Sequence, residues 1–302
     1  MTKIHTESCP VCEKREFSLL AVCTDNLVSK EKFDVLKCKA CGFGFTQDFP
    51  SENVVGRYYE ASDYISHSDT HKGIINKLYH LVRKISLKSK AKLSLKIHGG
   101  KTGDLLDIGA GTGYFLNKMK ESGWSVTGIE KAEQARIQAK EIFGINCFDS
   151  GYLFRMPEQS EDVITMWHVL EHVENLNGTL EVIYRILRPD GTAIIALPNK
   201  HSADARHYKN DWAAYDVPRH LWHFSPADFT LLAGKHGFEV STIKPMYFDG
   251  FYISMLSEQN KGTTCASLVG LIKGSIFFIQ SLFNKKRSSS LIYILKKKIY
   301  QP

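Results

Sequence analysis

The sequence predicts an α/β domain built on a mostly parallel sheet, with a small cysteine-containing module in front of it. Three observations support this fold class. From Asp104 onward, short apolar runs alternate with helical patterns, which is typical of a parallel sheet covered on both faces. A glycine-rich turn, Gly109-x-Gly111-x-Gly113, follows the first of these strands. Two Cys-x-x-Cys pairs lie within the first 50 residues.

The composition of the 302-residue chain is that of a folded globular protein. Hydrophobic residues make up 43% of it and charged residues 24%, which excludes a disordered class. The first residues, MTKIHTESCPVCEK, contain no apolar core, so we expect no signal peptide. The seven cysteines are therefore expected to be in a reducing, cytoplasmic compartment, where metal binding is favoured over disulfides.

Residues 1–50 are predicted to form a separate zinc-ribbon-like module. Cys9 and Cys12 form one pair, and Cys38 and Cys41 form the other, with the strand-like runs FSLLAVC and FDVLKC between them. This spacing fits a tetrahedral Zn²⁺ ion held by four thiolates. Four thiolates leave no open coordination position, so the zinc is expected to be structural. The alternative is four free, buried cysteines.

The net charge of +7 is unevenly distributed along the chain. Residues 51–101 are predicted to be a connector whose later part, 72–101, carries nine Lys/Arg and no acid and has the apolar spacing of an amphipathic helix. Residues 259–302 carry eight Lys/Arg and no acid. These segments favour an anionic partner, either a membrane surface on its inner, cytoplasmic face or a phosphate-bearing acceptor. The alternative is two solvated helix faces.

Residues 102–302 are predicted to form the α/β domain. Its strands are predicted at 104–108, 125–130, 145–148, 162–167, 192–198, 238–247 and 288–298. Its helices are predicted at 114–122, 132–143, 169–187 and 226–237, the last starting at a Ser-Pro capping signal. Residues 250–286 interrupt the alternation as a helical insertion. Its apolar run, CASLVGLIKGSIFFIQSLF, contains Lys273, so we expect it to lie in an interface or pack on the domain rather than span a bilayer.

The glycine-rich turn predicts a cofactor site at the carboxyl edge of the sheet. Its spacing differs from the Gly-x-Gly-x-x-Gly of dinucleotide sites. Asp107 comes two residues before it, and Glu130 ends the next strand. A carboxylate at 107 is poorly placed beside a pyrophosphate but suits an ammonium or sulfonium, and Glu130 can accept both hydroxyls of a ribose. The pattern therefore indicates a nucleoside cofactor that carries positive charge.

Four stretches resemble successive motifs of class I S-adenosylmethionine-dependent methyltransferases, including the ubiquinone-type enzymes of methyltransferase domain 23. They are LLDIGAGTGYFL, VTGIE, DVITMWHVLEHV and LRPDGTAIIALPN, and the resemblance covers roughly residues 100–250. It implies a Rossmann-like sheet of seven strands with the last strand antiparallel. It also implies S-adenosyl-L-methionine as cofactor and methyl transfer to oxygen or carbon of a small-molecule, glycan or lipid-linked acceptor.

The resemblance also assigns cofactor contacts to residues of this sequence. The first motif, which holds the methionine part, corresponds to Asp107, Gly109, Ala110, Gly111 and Gly113. The remaining contacts are Glu130 for the ribose, Lys131 next to it in the chain, Phe148 and Asp149 for the adenine, and Trp167 and His168 beside the methyl group. Tyr58, Tyr59 or Tyr64 would close over the cofactor, with plain packing as the alternative for each tyrosine.

Methyl transfer to oxygen or carbon calls for a general base, and histidine suits neutral pH. His168 follows the fourth strand, whereas His220 and His223 lie in the long irregular segment 199–226, where the resemblance implies the acceptor site. We predict His223 or His168 as the base, with His220 as a further candidate. His172 is interpreted as a structural pairing.

Two other functions compete with small-molecule methylation. A nucleic-acid methyltransferase would use the zinc module and basic helix to bind phosphates. The Asn/Asp-Pro-Pro-aromatic signature of amino-nitrogen nucleic-acid enzymes is replaced here by MWHVLEH, so a nucleic-acid partner is not expected. The other alternative is a cofactor-binding protein without catalysis, against which the intact glycine turn argues. The sequence leaves the oligomeric state open.

Overall fold

The computed structural model describes residues 3–59 and 74–298, with the side chains of the first long helix described from residue 84 onward. In the N-terminal part the strands are β1 (Lys3–Ile4), β2 (Phe17–Thr24), β3 (Lys32–Cys38), β4 (Gly44–Thr46) and β5 (Phe49–Pro50). The later strands are β6 (Asp104–Ile108), β7 (Ser125–Ile129), β8 (Cys147–Phe148), β9 (Glu161–Trp167), β10 (Leu187–Pro198), β11 (Trp222–His223), β12 (Phe238–Met246) and β13 (Ser290–Lys297). The α-helices are α1 (Ile74–Ile97), α2 (Tyr114–Glu121), α3 (Glu133–Phe143), α4 (Ser150–Leu153), α5 (Leu176–Ile186), α6 (Ala203–Tyr208), α7 (Pro226–Lys235), α8 (Asp249–Asn260) and α9 (Ala266–Phe283).

The large sheet has the strand order β12-β13-β10-β9-β6-β7-β8. Neighbouring strands from β10 to β8 are parallel, whereas β13 is antiparallel to both β10 and β12. The predicted α/β fold, with seven strands and an antiparallel last strand, is confirmed. The chain leaves β6 toward β7 on one side and later returns to β9 on the other. The carboxyl end of β6 is therefore the switch point where ligands bind in such sheets.

The middle strands are buried on both faces, which explains their almost continuous apolar runs. Leu105 and Leu106 of β6 are both fully buried although their side chains point to opposite faces. Ile194 and Ile195 of β10 are buried in the same way. Helices on each side of the sheet supply the covering layers.

The helix predicted over 169–187 is broken in the structure. A 3₁₀ turn covers Leu170–His172, and α5 begins only at Leu176. Asn175 separates the two because its side chain caps α5, accepting a hydrogen bond from the Gly178 amide at 3.1 Å. The prediction of one continuous helix was wrong, since the apolar periodicity of the two pieces hides the capping residue.

The four-stranded sheet joins the N-terminal module to the α/β domain. Its order is β11-β4-β3-β2, so its edge strand comes from the segment that follows β10. Trp222 pairs with Phe45 across the β4–β11 ladder. Phe43 is fully buried, with its ring centroid 6.1 Å from that of Trp222 and 5.5 Å from that of Phe224. Backbone pairing and an aromatic cluster therefore hold the two parts together.

A buried lysine reinforces this junction. The side chain of Lys200 is 1% exposed and forms an ion pair with the carboxylate of Asp228. Its ammonium also donates to the Gly42 carbonyl at 2.9 Å and to the His223 carbonyl at 3.0 Å. A buried charge is tolerated only when it is paired and hydrogen-bonded, and these acceptors come from both sides of the junction.

A second buried cation makes an equivalent connection. The Arg219 guanidinium lies 3.0 Å from Asp25, which is fully buried in the β2–β3 turn, and 2.7 Å from Asp216. It also donates to the Tyr58 carbonyl at 2.8 Å. Burial opposes both shifts, but Asp216 and Asp25 raise the pKa of Arg219, and the hydrogen bond from the Ser29 amide, followed by the charge of Arg219, lowers the pKa of Asp25.

The helical insertion before the last strand is a tightly packed hairpin of α8 and α9. A Cβ atom on Gly270 would lie 2.4 Å from the Met255 Cα, and one on Gly274 would lie 2.9 Å from the Phe251 Cα. Small residues therefore allow the two backbones to approach closely. Lys273 of α9 turns toward α8 and forms an ion pair with the buried Glu258 at 2.7 Å.

The opposite face of α9 is exposed and apolar. Its exposed side chains are Leu268, Leu271, Ile272, Ile276, Ile279, Leu282 and Phe283. Within the described residues, α9 is the one helix long and apolar enough to cross a bilayer, and 22% of it is buried. The exposed stripe is larger than the scattered apolar residues that are normal on a surface.

Truncating Phe43 should destabilise the whole fold, because the ring fills the junction between the module and the α/β domain. We expect Phe43→Ala to lower the free energy of unfolding by about 3–5 kcal/mol, measured by denaturant titration. Leu19→Ala is the matched control, since Leu19 lies on β2 of the same module and is 58% exposed. Equal effects of the two substitutions would contradict a shared core at this junction.

Candidate functional site

The glycine turn lies at the carboxyl end of β6, and its three glycines serve different purposes. All three have left-handed backbone angles, with φ of 77° at Gly109, 53° at Gly111 and 82° at Gly113. A Cβ on Gly109 would collide with Val169 Cγ2 at 2.2 Å, and one on Gly113 would lie 3.0 Å from the Ala139 Cβ. A Cβ on Gly111 would meet no described atom within 4 Å. Gly111 alone presents open backbone to a ligand.

Asp107 is buried directly before this turn. Its side chain is 2% exposed, and its Oδ1 accepts a hydrogen bond from the Thr165 hydroxyl at 2.6 Å. Burial raises the pKa of Asp107 to about 7, although Thr165 and the Lys90 ammonium oppose this shift. A cation beside the carboxylate would favour its charged form.

Glu130 is held in place by the backbone around it. Its Oε2 accepts a hydrogen bond from the Gly111 amide at 2.8 Å, and its Oε1 accepts one from the Ala132 amide at 2.8 Å. Each carboxylate oxygen retains a lone pair for another donor. The amide of Ala110 is used elsewhere, donating to the Ile129 carbonyl at 3.0 Å. Lys131, predicted to contact the cofactor, forms an ion pair with Glu52 of the connector at 2.7 Å.

Phe148 and Asp149 follow β8 on the same edge of the sheet. The Phe148 ring is 38% exposed and stacks on Tyr152 with centroids 4.0 Å apart. Asp149 caps α4, since its Oδ1 accepts a hydrogen bond from the Gly151 amide at 2.8 Å. Tyr152 could not be identified from the sequence, because its stacking on Phe148 depends on the fold around the four-residue helix α4.

Trp167 and His168 end β9, next to β6 in the sheet. The indole Nε1 of Trp167 is buried and has no hydrogen-bond partner among the described residues. The ammonium of Lys90, from α1, lies 4.5 Å from the centroid of the Trp167 ring. Burial lowers the pKa of Lys90, while Asp249 and Asp107 act in the opposite direction. Lys90 was missed by sequence reasoning because it belongs to a helix outside the recognised motifs.

His168 lies between two carboxylates. Its Nδ1 is 3.3 Å from Glu171 Oε1, and its Nε2 is 2.9 Å from Asp249 Oδ2. Burial lowers its pKa, but these two acids outweigh burial and raise it to about 10. A general base must be unprotonated when substrate binds, so this environment opposes that role. Asp249 starts α8, and sequence reasoning missed it because the insertion carries no family motif.

The structure does not bring His223 to the glycine turn. Its side chain is 3% exposed and faces the N-terminal module, with Nε2 2.9 Å from the Thr46 hydroxyl. Burial holds its pKa well below the usual range, with a smaller contribution from His220. A proton acceptor needs access to its substrate, and this position provides none in the described part of the chain. The choice of base stays a prediction.

His220 lies between these positions, packed against His172. Their ring centroids are 4.5 Å apart, and His220 Nδ1 is 2.9 Å from the Ala214 carbonyl. Burial, followed by the neighbouring His220, lowers the pKa of His172 to about 4. The Tyr59 hydroxyl is 3.3 Å from His172 Nδ1, so Tyr59 reaches this cluster. Tyr64 lies outside the described residues.

A cavity of about 100 Å³ lies between α1 and the β12–α8 turn. Lys90 lines it from α1, and Met246, Phe248 and Asp249 line it from the β12–α8 turn. Lys90 and Asp249 also interact with Asp107 and His168 respectively. The cavity is therefore connected through these two side chains to Asp107 and to His168.

The four cysteines of the N-terminal module converge on one point. Their sulfur atoms all lie within 4.8 Å of one another. Cys9 and Cys41 are 3.5 Å apart, as are Cys12 and Cys38. Zinc–sulfur bonds of about 2.3 Å in tetrahedral geometry require similar separations, so the donor set fits zinc.

The fold and this edge of the sheet have the architecture of class I S-adenosylmethionine-dependent methyltransferases. The site fits the cofactor through the open backbone at Gly111 and the oriented carboxylate of Glu130. The profile of a family described as Methyltransferase domain matches residues 78–243, more than half of the chain. The chain belongs to this family.

Individual relatives are distant. The chain is 26% identical over 135 residues to malonyl-[acyl-carrier protein] O-methyltransferase from Erwinia billingiae, covering 44% of this chain and 53% of that protein. It is 25% identical over 169 residues to ubiquinone biosynthesis O-methyltransferase from Idiomarina loihiensis, covering 52% and 70%. The chain thus spans about half the length of the first of these relatives.

A solved structure shows the same fold. Geranyl diphosphate C-methyltransferase from Streptomyces coelicolor superposes with a TM-score of 0.51 at 14% identity, covering 78% of this chain and 90% of that one. At this identity the likeness concerns the fold alone.

Proposed function

We propose that the protein transfers the methyl group of S-adenosyl-L-methionine to a small-molecule acceptor. The observation that carries the proposal is the coupling of Glu130 to the open glycine turn, through the 2.8 Å hydrogen bond from the Gly111 amide. The small-molecule O-methyltransferases among the relatives support an acceptor of this class. Oxygen is accordingly the favoured target atom, with carbon as the alternative.

Each side chain of the site has a task in this proposal. Glu130 would accept hydrogen bonds from the ribose hydroxyls, and Asp107 would face the ammonium of the methionine part. The bound cofactor supplies an electrophilic methyl group, so the protein mainly orients the reactants. Trp167 and His168 would bound the methyl site, and the cavity beside Lys90 would admit the acceptor. Of the three candidate bases, only His168 adjoins this region.

Adding a side chain at Gly111 should block cofactor binding without unfolding the protein. We expect Gly111→Val to weaken binding of S-adenosylhomocysteine at least a hundredfold in calorimetry, because the side chain would occupy the ligand's space. Gly99→Val is the matched control: Gly99 also has a positive φ, 68°, and a Cβ there meets no described atom within 4 Å. The control should bind as the wild type does.

Removing the Glu130 carboxylate, which is proposed to accept hydrogen bonds from the ribose, tests the same proposal independently. Glu130→Ala should reduce the affinity roughly ten- to a hundredfold, the usual worth of hydrogen bonds to a charged group. If wild-type protein fails to bind the nucleoside, the proposed activity is wrong. Equal losses of affinity for S-adenosylhomocysteine in Gly111→Val and Gly99→Val would show that backbone strain explains the result, and not a side chain in the ligand's space.

We also propose that the four cysteines hold a structural Zn²⁺ ion. The convergence of their sulfurs supports this, as does the small size of the module around them. The ion would fix the loop before β4, and hence the strand that pairs with β11. It would take no part in methyl transfer, because four thiolates fill its coordination sphere.

Replacing one cysteine pair should remove this metal and loosen the module. We expect Cys38→Ser/Cys41→Ser to lose one zinc per chain by elemental analysis and to unfold at a lower temperature. Cys23→Ser is the control, since Cys23 is buried on β2 but lies outside the cluster. Retention of the same zinc content by the double variant would refute the site.

The exposed face of α9 is proposed to dock on an anionic membrane at its cytoplasmic side. Three exposed cations, Lys285, Lys286 and Arg287, follow the apolar stripe directly. Apolar side chains beside a basic cluster are complementary to the acyl chains and anionic headgroups of a bilayer surface. The pairing of Lys273 with Glu258 keeps that charge off the apolar face.

Charges on the apolar stripe should abolish this docking. In flotation assays with phosphatidylglycerol vesicles, we expect wild-type protein to float with the vesicles. The variant Ile272→Glu/Ile279→Glu should stay in solution. Leu231→Glu, at a half-exposed position of α7, controls for added negative charge. Flotation unchanged by the double substitution, or absent from wild-type protein, would exclude α9 as the docking element.

A further inference from the structure

Glu171, His172 and His220 form a cluster whose donor atoms converge like the ligands of a metal ion. One ligand atom from each of the three side chains lies within 4.8 Å of the other two. Glu171 and His172 come from the 3₁₀ turn after β9, and His220 comes from the segment before β11. The cluster is separate from the four cysteines.

Each of the two imidazoles keeps one ring nitrogen available to a metal ion. His172 Nδ1 is 3.0 Å from the Arg219 carbonyl, and His220 Nδ1 is 2.9 Å from the Ala214 carbonyl. A carbonyl only accepts hydrogen bonds, so each Nδ1 must carry the proton. Each Nε2 then has a free lone pair. Hydrogen bonds of this kind from the outer nitrogen are the usual support of metal-bound histidines.

The Glu171 carboxylate has one oxygen available to a cation. Glu171 is fully buried, and its Oε1 is 3.3 Å from His168. Its Oε2 is also buried and has no hydrogen-bond partner among the described residues. An unpartnered buried carboxylate oxygen is costly, and a cation at this point would remove the cost.

The surroundings fix the three ligands from both sides. The Leu221 amide donates to the Glu171 carbonyl at 2.8 Å, and the Thr46 hydroxyl donates to the His220 carbonyl at 2.7 Å. Asp216 Oδ2, 3.9 Å from His220 Nε2, adds a further negative charge. The nearby Arg219 carries one positive charge, which the two carboxylates of Asp25 and Asp216 together outweigh.

We propose that Glu171, His172 and His220 bind a divalent first-row transition-metal ion, such as Zn²⁺. Two imidazoles and one carboxylate are the donor set of open metal sites, in which water or substrate completes the coordination. The ion would lie next to His168 and thus close to the end of β9. Its use in methyl transfer rests on the proposed function and would favour an acceptor with an acidic hydroxyl group; its binding does not depend on that function.

Zinc stoichiometry distinguishes this site from the cysteine site. After equilibrium dialysis against Zn²⁺, we expect two zinc ions per wild-type chain and one in Glu171→Gln, which keeps the shape of the side chain. Cys38→Ser/Cys41→Ser should also hold one. The control His236→Asn, at a part-buried histidine that contacts Asn177 instead, should hold two.

A second variant guards against misfolding. His220→Asn should likewise lose one zinc. In a separate measurement, weakly held metal is removed from zinc-loaded wild-type protein and Co²⁺ is then added. The absorption spectrum of the bound Co²⁺ should lack thiolate charge-transfer bands. Glu171→Gln should still bind S-adenosylhomocysteine, which separates this proposal from the proposed activity. Zinc content that is unchanged by both the Glu171 and His220 substitutions would overturn the site.

Discussion

The arrangement of the candidate site depends on one short ladder, the pairing of β4 with β11. Two residues from each strand form it, yet it joins the cysteine module to the segment that carries His220 and His223. Together with the ion pairs of Arg219, this ladder orders the end of the long connection between β10 and α7. Buried aromatic rings and the paired ammonium of Lys200 stabilise the ladder, and neither would tolerate water at the junction.

This junction links the cysteine cluster to the end of β9 through consecutive contacts. The last cysteine pair precedes β4, and Thr46 at the end of β4 hydrogen-bonds the His220 carbonyl at 2.7 Å. The ring of His220 packs on His172, and Glu171 beside it contacts His168. Every step is a hydrogen bond, a ring contact or adjacency in the chain. A structural metal at one end can therefore position side chains at the other without touching a ligand.

Local patterns were sufficient to predict the sheet, the glycine turn and the convergence of the four cysteines. Each depends on residues close in the chain, such as the apolar run of β6 or the Cys-x-x-Cys spacing. The location of His223 could not be predicted, because a two-residue strand has no periodicity and its partner is more than 170 residues away. Lys90 and Asp249 were missed because both lie outside the family motifs. They reach the site from α1 and α8, which lie outside the sheet's repeating pattern.

The position of His168 shows why proximity to a motif does not define a catalytic role. The residue follows β9 as expected, and its φ of 59° is unusual for a side chain other than glycine. That conformation directs the ring between Glu171 and Asp249, from two elements far apart in sequence. Two carboxylates stabilise the imidazolium, so the same contacts that fix the ring also oppose its action as a base. The α8–α9 insertion and the 3₁₀ turn therefore determine the surroundings of the end of β9. His168 adopts the conformation that these surroundings stabilise.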